Sequence, residues 1–278
     1  MSGLVLLTGA TGFVGRQVLR SLGDLGRHVR LIVRSAKAEK IKAEPYIESI
    51  VTTPNLFSES VEWWAQRCQG VDTVVHVAWY AEPGQYLQSP KNLECLAGTL
   101  SLAAGAVQAG IHRFVGVGTC FEYELTGRPL STNTPLRPTT PYSAAKAAAY
   151  FSLSQFFLVQ KVSFAWCRLF YLYGEGEDAR RLVPHLHAKL AAGQPAELTS
   201  GAQVRDFMDV RDAGREIAAV ALGEHDGAFN ICSGIPITVR QLAEQVADQY
   251  GRRDLLKFGA RPDNLLDPPH VVGIKGQG

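Results

Sequence analysis

Long apolar runs are missing from this 278-residue chain. With no stretch of about 18 consecutive apolar residues, a membrane span is not expected. Charge of one sign is also scarce, with 28 Lys and Arg against 26 Asp and Glu and a formal net charge of +2. That balance excludes a basic nucleic-acid surface and a charge-driven disordered tail. The first apolar segment begins within three residues of Met1, which leaves no room for a signal peptide. Cysteines are few and odd in number: Cys68, Cys95, Cys120, Cys167 and Cys232, with no C-x-x-C pair. They fit reduced thiols in a cytoplasm better than a disulfide framework. His185 and His187 stand two apart in a predicted helix and face different sides, so no metal site is expected.

What is present is a chain with 46% hydrophobic residues, long enough for one large α/β domain with a smaller appended lobe. Leu4–Leu7 reads as a buried parallel strand. It runs directly into Thr8-Gly9-Ala10-Thr11-Gly12-Phe13-Val14-Gly15, followed by a helical pattern through Val18, Leu19 and Leu22. Gly9 allows the tight turn, Gly12 lets backbone N–H groups approach a pyrophosphate, and Gly15 lets the helix close on the strand. The helix N-terminus then offers unpaired N–H groups to phosphates, so the segment predicts dinucleotide binding.

The second informative stretch is Pro141–Lys146, PYSAAK. Its Tyr142 and Lys146 are one helical turn apart and share a face, with Thr119 upstream in VGVGTCFEY. A free tyrosine titrates near 10, and a neighbouring ammonium is expected to lower that value. A tyrosine tuned in this way can pass a proton to or from an alcohol oxygen while hydride moves on the carbon. Further strands are predicted at 28–34, 72–77 and 114–117. Leu96, Leu100, Ala103 and Val107 predict a helical apolar stripe, Thr140 and Pro141 a helix start, and Thr238 with Gln241 a capping box.

Together these segments resemble the extended short-chain dehydrogenase/reductase superfamily, in its nucleotide-sugar epimerase, dehydratase and reductase branch. TGATGFVG matches the glycine loop and VDTVVHVAW (Val71–Trp79) the strand beneath the cofactor. The segment ending in Thr119 matches the approach to the catalytic Ser/Thr, and PYSAAK supplies the tyrosine and lysine. RLFYLYG (Arg168–Gly174) is similar to the family's R-x-x-N-V-Y-G, and Gly201–Gly214 to the strand that delivers an arginine to a substrate diphosphate.

The resemblance implies a doubly wound parallel sheet of Rossmann type, residues 1–174 with a return at 211–232. A smaller C-terminal substrate lobe would comprise 175–210 and 233–278. It implies Thr119, Tyr142 and Lys146 as catalytic residues. Cofactor contacts would come from Gly9, Thr11, Gly12, Phe13, Val14, Gly15, Arg34, Asn55, Leu56, Val77, Ala78, Trp79 and Tyr171 as well as Tyr142 and Lys146. Tyr80, Cys120, Glu122, Arg205 and Arg261 would meet the substrate, a nucleoside-diphosphate sugar. The helix carrying Leu96 to Val107 and the one after Pro141 would form a homodimer seam or pack within one subunit.

At the end of the second strand, Arg34 stands where an NAD enzyme places an acid, which suits a 2′-phosphate. NADP(H) is therefore the preferred cofactor, with NAD(H) as the alternative. Cys120 and Phe121 stand where a resembling 4,6-dehydratase would carry Asp-Glu, so that machinery is absent unless Cys120 and Glu122 replace it. A solvated Glu122 beside a buried thiol is the plainer reading.

The leading expectation is an NADPH-dependent reduction of a 4-keto-6-deoxyhexose nucleotide, with Tyr142 as proton donor. A 4-epimerase, a dehydratase, or a non-catalytic NADP-binding sensor are the alternatives. The family's relay asparagine falls at Cys95, with Asn92 nearly one turn earlier, and its substrate-contacting asparagine falls at Tyr171. Trp79, Tyr80 and Tyr86 follow a strand end and could stack on sugar or nicotinamide, whereas His76 is expected to pack. The chain stops at Gly278, earlier than the resemblance leads one to expect, which implies a smaller lobe or a missing end.

Overall fold

The computed structural model describes residues 3–264 and 267–276. Strands and helices alternate through the first two-thirds: β1 (Leu4–Thr8), α1 (Phe13–Asp24), β2 (Val29–Arg34), β3 (Ile47–Thr53), α2 (Val61–Arg67), β4 (Val71–His76), α3 (Lys91–Gln108), β5 (Arg113–Thr119), α4 (Pro141–Gln160) and β6 (Ser163–Leu169). There follow β7 (Tyr171–Tyr173), α5 (Leu182–Ala191), β8 (Ala196–Leu198), β9 (Val204–Asp209), α6 (Val210–Leu222), β10 (Gly227–Ile231), β11 (Pro236–Thr238), α7 (Val239–Asp248), β12 (Leu256–Phe258) and β13 (His270–Val271).

Seven strands form one parallel sheet in the order β10-β6-β5-β4-β1-β2-β3. The order reverses at β1, which opens a crevice at the carboxyl ends of β1 and β4, the place where such sheets bind ligands. Strand alternation supplies a core on each side. Val5 and Leu7 of β1 join α1 and α6 residues such as Val18, Leu22 and Ile217 on one face. Leu6 turns to the other face with Trp64, Leu102, Phe114 and Phe157. A separate cluster holds α5 and α7 together through Leu186, Leu190, Leu242 and Val246. β7, β11 and β13 all pair with β9, and β8 pairs with β12.

Three of the four expected α3 stripe residues face the core, Ala103 fully buried and Leu96 and Val107 packed against it, while Leu100 is exposed. Asn92, Cys95, Thr99, Leu102 and Ala106 are buried beside them. Glycines let this face approach closely. A Cβ on Gly98 would come 2.4 Å from the Phe57 Cα, and one on Gly105 would come 2.5 Å from the Trp64 Cβ. The helix therefore presents its small side to the core. At α4, Thr140 and Ser143 form a capping box with Pro141 in the first turn, and Thr238 with Gln241 caps α7 likewise. The five cysteines are separate buried thiols. No helix among the described residues is long and apolar enough to cross a membrane.

Candidate active site

The glycine loop forms as its spacing demands. Gly9 has φ +82°, and a Cβ there would sit 2.7 Å from the Ala78 nitrogen, so the loop backs directly onto the end of β4. A Cβ on Gly15 would meet the Gly9 carbonyl oxygen at 2.1 Å. Gly12 caps α1 without a side-chain hydrogen bond, and no acid stands in the first turn. The donor end of α1 carries no acid of its own, and the cradle fits the diphosphate of a nicotinamide dinucleotide. Thr8 holds the neighbouring strand through its hydroxyl, which bonds His76 Nδ1 at 2.8 Å and accepts from Ala78 N–H at 3.3 Å. His76 packs, bonded at its other nitrogen to Thr99, and burial pushes its pKa down to about 3, with the Lys146 charge adding to the effect.

β5 ends at Thr119, and the chain turns at once into a short 3-10 segment, Cys120–Glu122, which Thr119 caps. α4 then brings Tyr142 and Lys146 to the same crevice. The Thr119 hydroxyl faces Tyr142 and favours its ionised form. The Tyr86 ring stands edge-on to Tyr142 at 4.8 Å between centroids. Lys146 is 2% exposed, and its Nζ donates to the Val117 carbonyl at 2.5 Å.

The pKa arrangement corrects one expectation. Lys146 sends its ammonium to Val117 rather than to Tyr142, and Tyr142 is raised, foremost by burial and then by Tyr86 and Glu122. Burial lowers Lys146 itself to about 7. Tyr142 therefore stands as a neutral phenol, equipped to donate a proton.

A family model described as the NAD dependent epimerase/dehydratase family matches residues 5–232. The chain belongs to this family, a family of enzymes. One curated relative is the dTDP-6-deoxy-L-talose 4-dehydrogenase (NAD(+)) of Aggregatibacter actinomycetemcomitans. It is 26% identical over 276 residues, covering 98% of this chain and 99% of its own length. Another, the dTDP-6-deoxy-L-talose 4-dehydrogenase (NAD(P)(+)) of Kitasatospora kifunensis, is 28% identical over 263 residues, 89% of this chain and 79% of its own. The UDP-N-acetylglucosamine 4-epimerase of Methanobrevibacter ruminantium M1 superposes with a TM-score of 0.86 at 21% identity, covering 99% of this chain and 90% of that one, and so shares the fold.

Several residues of this family member stand elsewhere than its sequence predicts. Glu122 is neither solvated nor open to substrate. It is fully buried, with its carboxylate 2.7 Å from Arg168 Nε, 2.8 Å from the Thr119 N–H and 3.1 Å from the Trp166 indole. The 3-10 turn, rather than a continued strand, folds it inward. Cys120 is likewise shut away, packed with Tyr123, Phe170 and Val271, and burial pushes its thiol up to about 12. The Leu56 side chain lies in the core, and Asn55 accepts a hydrogen bond from Phe57 N–H to cap a short turn. Trp79 lies against Lys146, its ring centroid 3.8 Å from Nζ. Tyr80 bonds Gln85 through its hydroxyl, at 3.1 Å.

Arg205 is 1% exposed, stacked over the Tyr171 ring at 5.1 Å, with one nitrogen on the Val204 carbonyl and another 2.7 Å from Asp267. The Tyr171 hydroxyl is buried and finds no hydrogen-bond partner. Arg34 and Arg261 are exposed. The partners Arg168 and Asp267 escape sequence reasoning because each pairing joins segments far apart in the chain. Arg181, over Tyr86 at 5.7 Å, and Arg180, paired with Glu82 at 2.7 Å, join the loop before α5 to the loop after β4. A cleft of about 520 Å³ lined by Tyr173, Glu177, His187 and Leu242 includes none of Thr119, Tyr142 or Lys146.

Proposed function

We propose that this enzyme reduces the C4 carbonyl of a nucleoside-diphosphate 4-keto-6-deoxyhexose, using NADPH. The observation that carries the reading is the number of usable proton donors. Tyr142 is a neutral phenol beside Thr119, while Glu122 is locked to Arg168 and the Cys120 thiol is buried. One proton donor suffices for carbonyl reduction. Dehydration also needs an acid for the leaving hydroxyl and a base for the C5 proton, and neither group is available here.

In this reaction the nicotinamide, when bound, supplies hydride to C4. Tyr142 gives its phenolic proton to the oxygen as the C=O bond becomes an alcohol, and Thr119 orients that phenol. Lys146 in its ammonium form would set a positive charge one helical turn from Tyr142 to offset the phenolate left behind. The 4-dehydrogenase names of the two curated relatives describe the same carbon and the reverse direction, which supports this choice.

Gly9, Thr11, Gly12, Phe13, Val14 and Gly15 would hold the cofactor diphosphate, with Val77 and Ala78 beneath it. Arg34, at the end of β2 and without an ion pair among the described residues, would hold the 2′-phosphate. Arg205 would meet the substrate diphosphate by exchanging Asp267 for it, with Tyr171 below and Arg261 at the rim. On this reading the cofactor domain comprises 1–174 with 211–232, and the substrate lobe 175–210 and 233–278. The pairing of β10 with β6 and the separate core of α5 and α7 support it. Leu93 and Leu100 of α3 and Phe151 and Leu158 of α4 are exposed, which supports a homodimer through these two helices. The five reduced thiols fit a cytoplasmic protein.

NADPH deuterated at the transferring position provides the test. Ketoreduction places deuterium at C4 of the product and consumes one NADPH per sugar. Interconversion of 4-hydroxy epimers without label or net consumption would instead make the enzyme an epimerase.

A further inference from the structure

Lys146 has no carboxylate within hydrogen-bonding distance among the described residues, although it is almost fully buried. Val117 supplies one carbonyl, the face of Trp79 lies 3.8 Å from Nζ, and the Trp166 ring stands farther off at 5.8 Å. The position of that face is fixed from behind. The Trp79 indole N–H donates to Asn92 Oδ1 at 2.8 Å, and the Asn92 amide donates to the carbonyls of Tyr86 at 2.7 Å and Ser89 at 2.9 Å. Asn92 is 0% exposed, and the Phe57 ring lies edge-on to Trp79 at 6.4 Å. Three elements therefore meet at one ammonium: α4 carries it, the end of β4 carries the ring, and α3 carries the amide that orients the ring.

We propose that Trp79, held by Asn92, is a positioning residue that keeps Lys146 charged and aimed at Val117. The inference rests on the reading that Lys146 belongs to the catalytic set. An aromatic face attracts a desolvated cation and replaces part of its lost hydration without bonding any of its hydrogens. Lys146 then spends one N–H on Val117 and keeps two for a ligand. Asn92 thus acts through the indole, one turn from the position where the sequence resemblance had placed an asparagine.

Burial places Lys146 near neutrality, so its charge is sensitive to its surroundings. Glu122 and Cys95 favour the ammonium, His76 stands beside it on β4, and Tyr142 lies one turn back on α4. Removing the aromatic face should move the balance toward the neutral amine.

The experiment is an NMR titration of the Lys146 side chain in cofactor-free protein, comparing the unmodified chain with Trp79→Leu and Asn92→Leu. Both variants should move the Lys146 midpoint to lower pH, and Trp79→Phe, which keeps a ring, should move it less. kcat/KM of Trp79→Leu should fall roughly tenfold at neutral pH and by less in mild acid, where Lys146 is charged in either protein. Should Trp79→Leu not fold, Asn92→Leu carries the same prediction. A midpoint unmoved or raised in the folded variants overturns the proposal, as does a moved midpoint with unaltered kcat/KM. Full turnover by Lys146→Met would instead overturn the catalytic reading, and the cofactor-free titration would still report on the contact.

Discussion

Glu122 and Arg168 form an ion pair at 2.7 Å with both side chains withdrawn from solvent. The same carboxylate accepts from the Thr119 backbone and the Trp166 indole, so it ties the turn after β5 to β6. Its removal would leave a buried guanidinium with the Tyr123 hydroxyl as its remaining hydrogen-bond partner. Glu122→Ala should cost about 3–5 kcal/mol of stability, read by urea unfolding. A loss below ~1 kcal/mol would show that the pair does not anchor the site.

Arg34 ends β2 in the open, where a 2′-phosphate would lie. Arg34→Asp should lower the preference for NADPH over NADH by roughly 10- to 100-fold, through lost charge-assisted bonds and added repulsion. Steady-state kcat/KM with each cofactor measures it. An unchanged ratio would assign Arg34 to adenine stacking or to the surface.

His76 is neutral in the folded chain and titrates at about 3, against 6.5 for an ordinary histidine. Between these values the unfolded chain binds the extra proton, so stability falls as pH drops from 6.5 toward 3. Unfolding free energy at pH 5 should lie about 2 kcal/mol below that at pH 7 from this group alone. His76→Gln, whose amide can still bond Thr8 or Thr99, should flatten that slope. An equal slope in the variant would remove His76 as its source.

Tyr142→Phe keeps the ring that packs on Tyr86 and removes the proton. Turnover should drop roughly 100- to 10,000-fold, while the cofactor dissociation constant, read by protein fluorescence, stays within about threefold. Undiminished turnover would end Tyr142's role as donor.

Much of this was legible in residues close together in the chain. The glycine loop and the helix caps at Thr140 and Thr238 depend on local geometry, and they formed as their spacing requires. The direction of Lys146 did not follow from its spacing to Tyr142. Residues i and i+4 share a face, yet the long lysine side chain reached the Val117 carbonyl on another element. Glu122 defeated sequence reasoning for a similar reason. Its partner Arg168 lies on β6, and only the parallel pairing of β5 with β6 brings the two segments together. The exposure of Leu100 and the close approach of α3 at Gly98 and Gly105 were not legible, because the value of those glycines as contact points depends on what packs against them.

The most direct measurement is the loss of reduced nicotinamide absorbance with a panel of nucleoside-diphosphate 4-keto-6-deoxyhexoses, with NADPH and NADH run in parallel. NADPH should be oxidised stoichiometrically with one panel member, faster than NADH, giving the 4-hydroxy sugar. If no member oxidises either cofactor while 4-hydroxy sugars interconvert, the ketoreductase reading is contradicted.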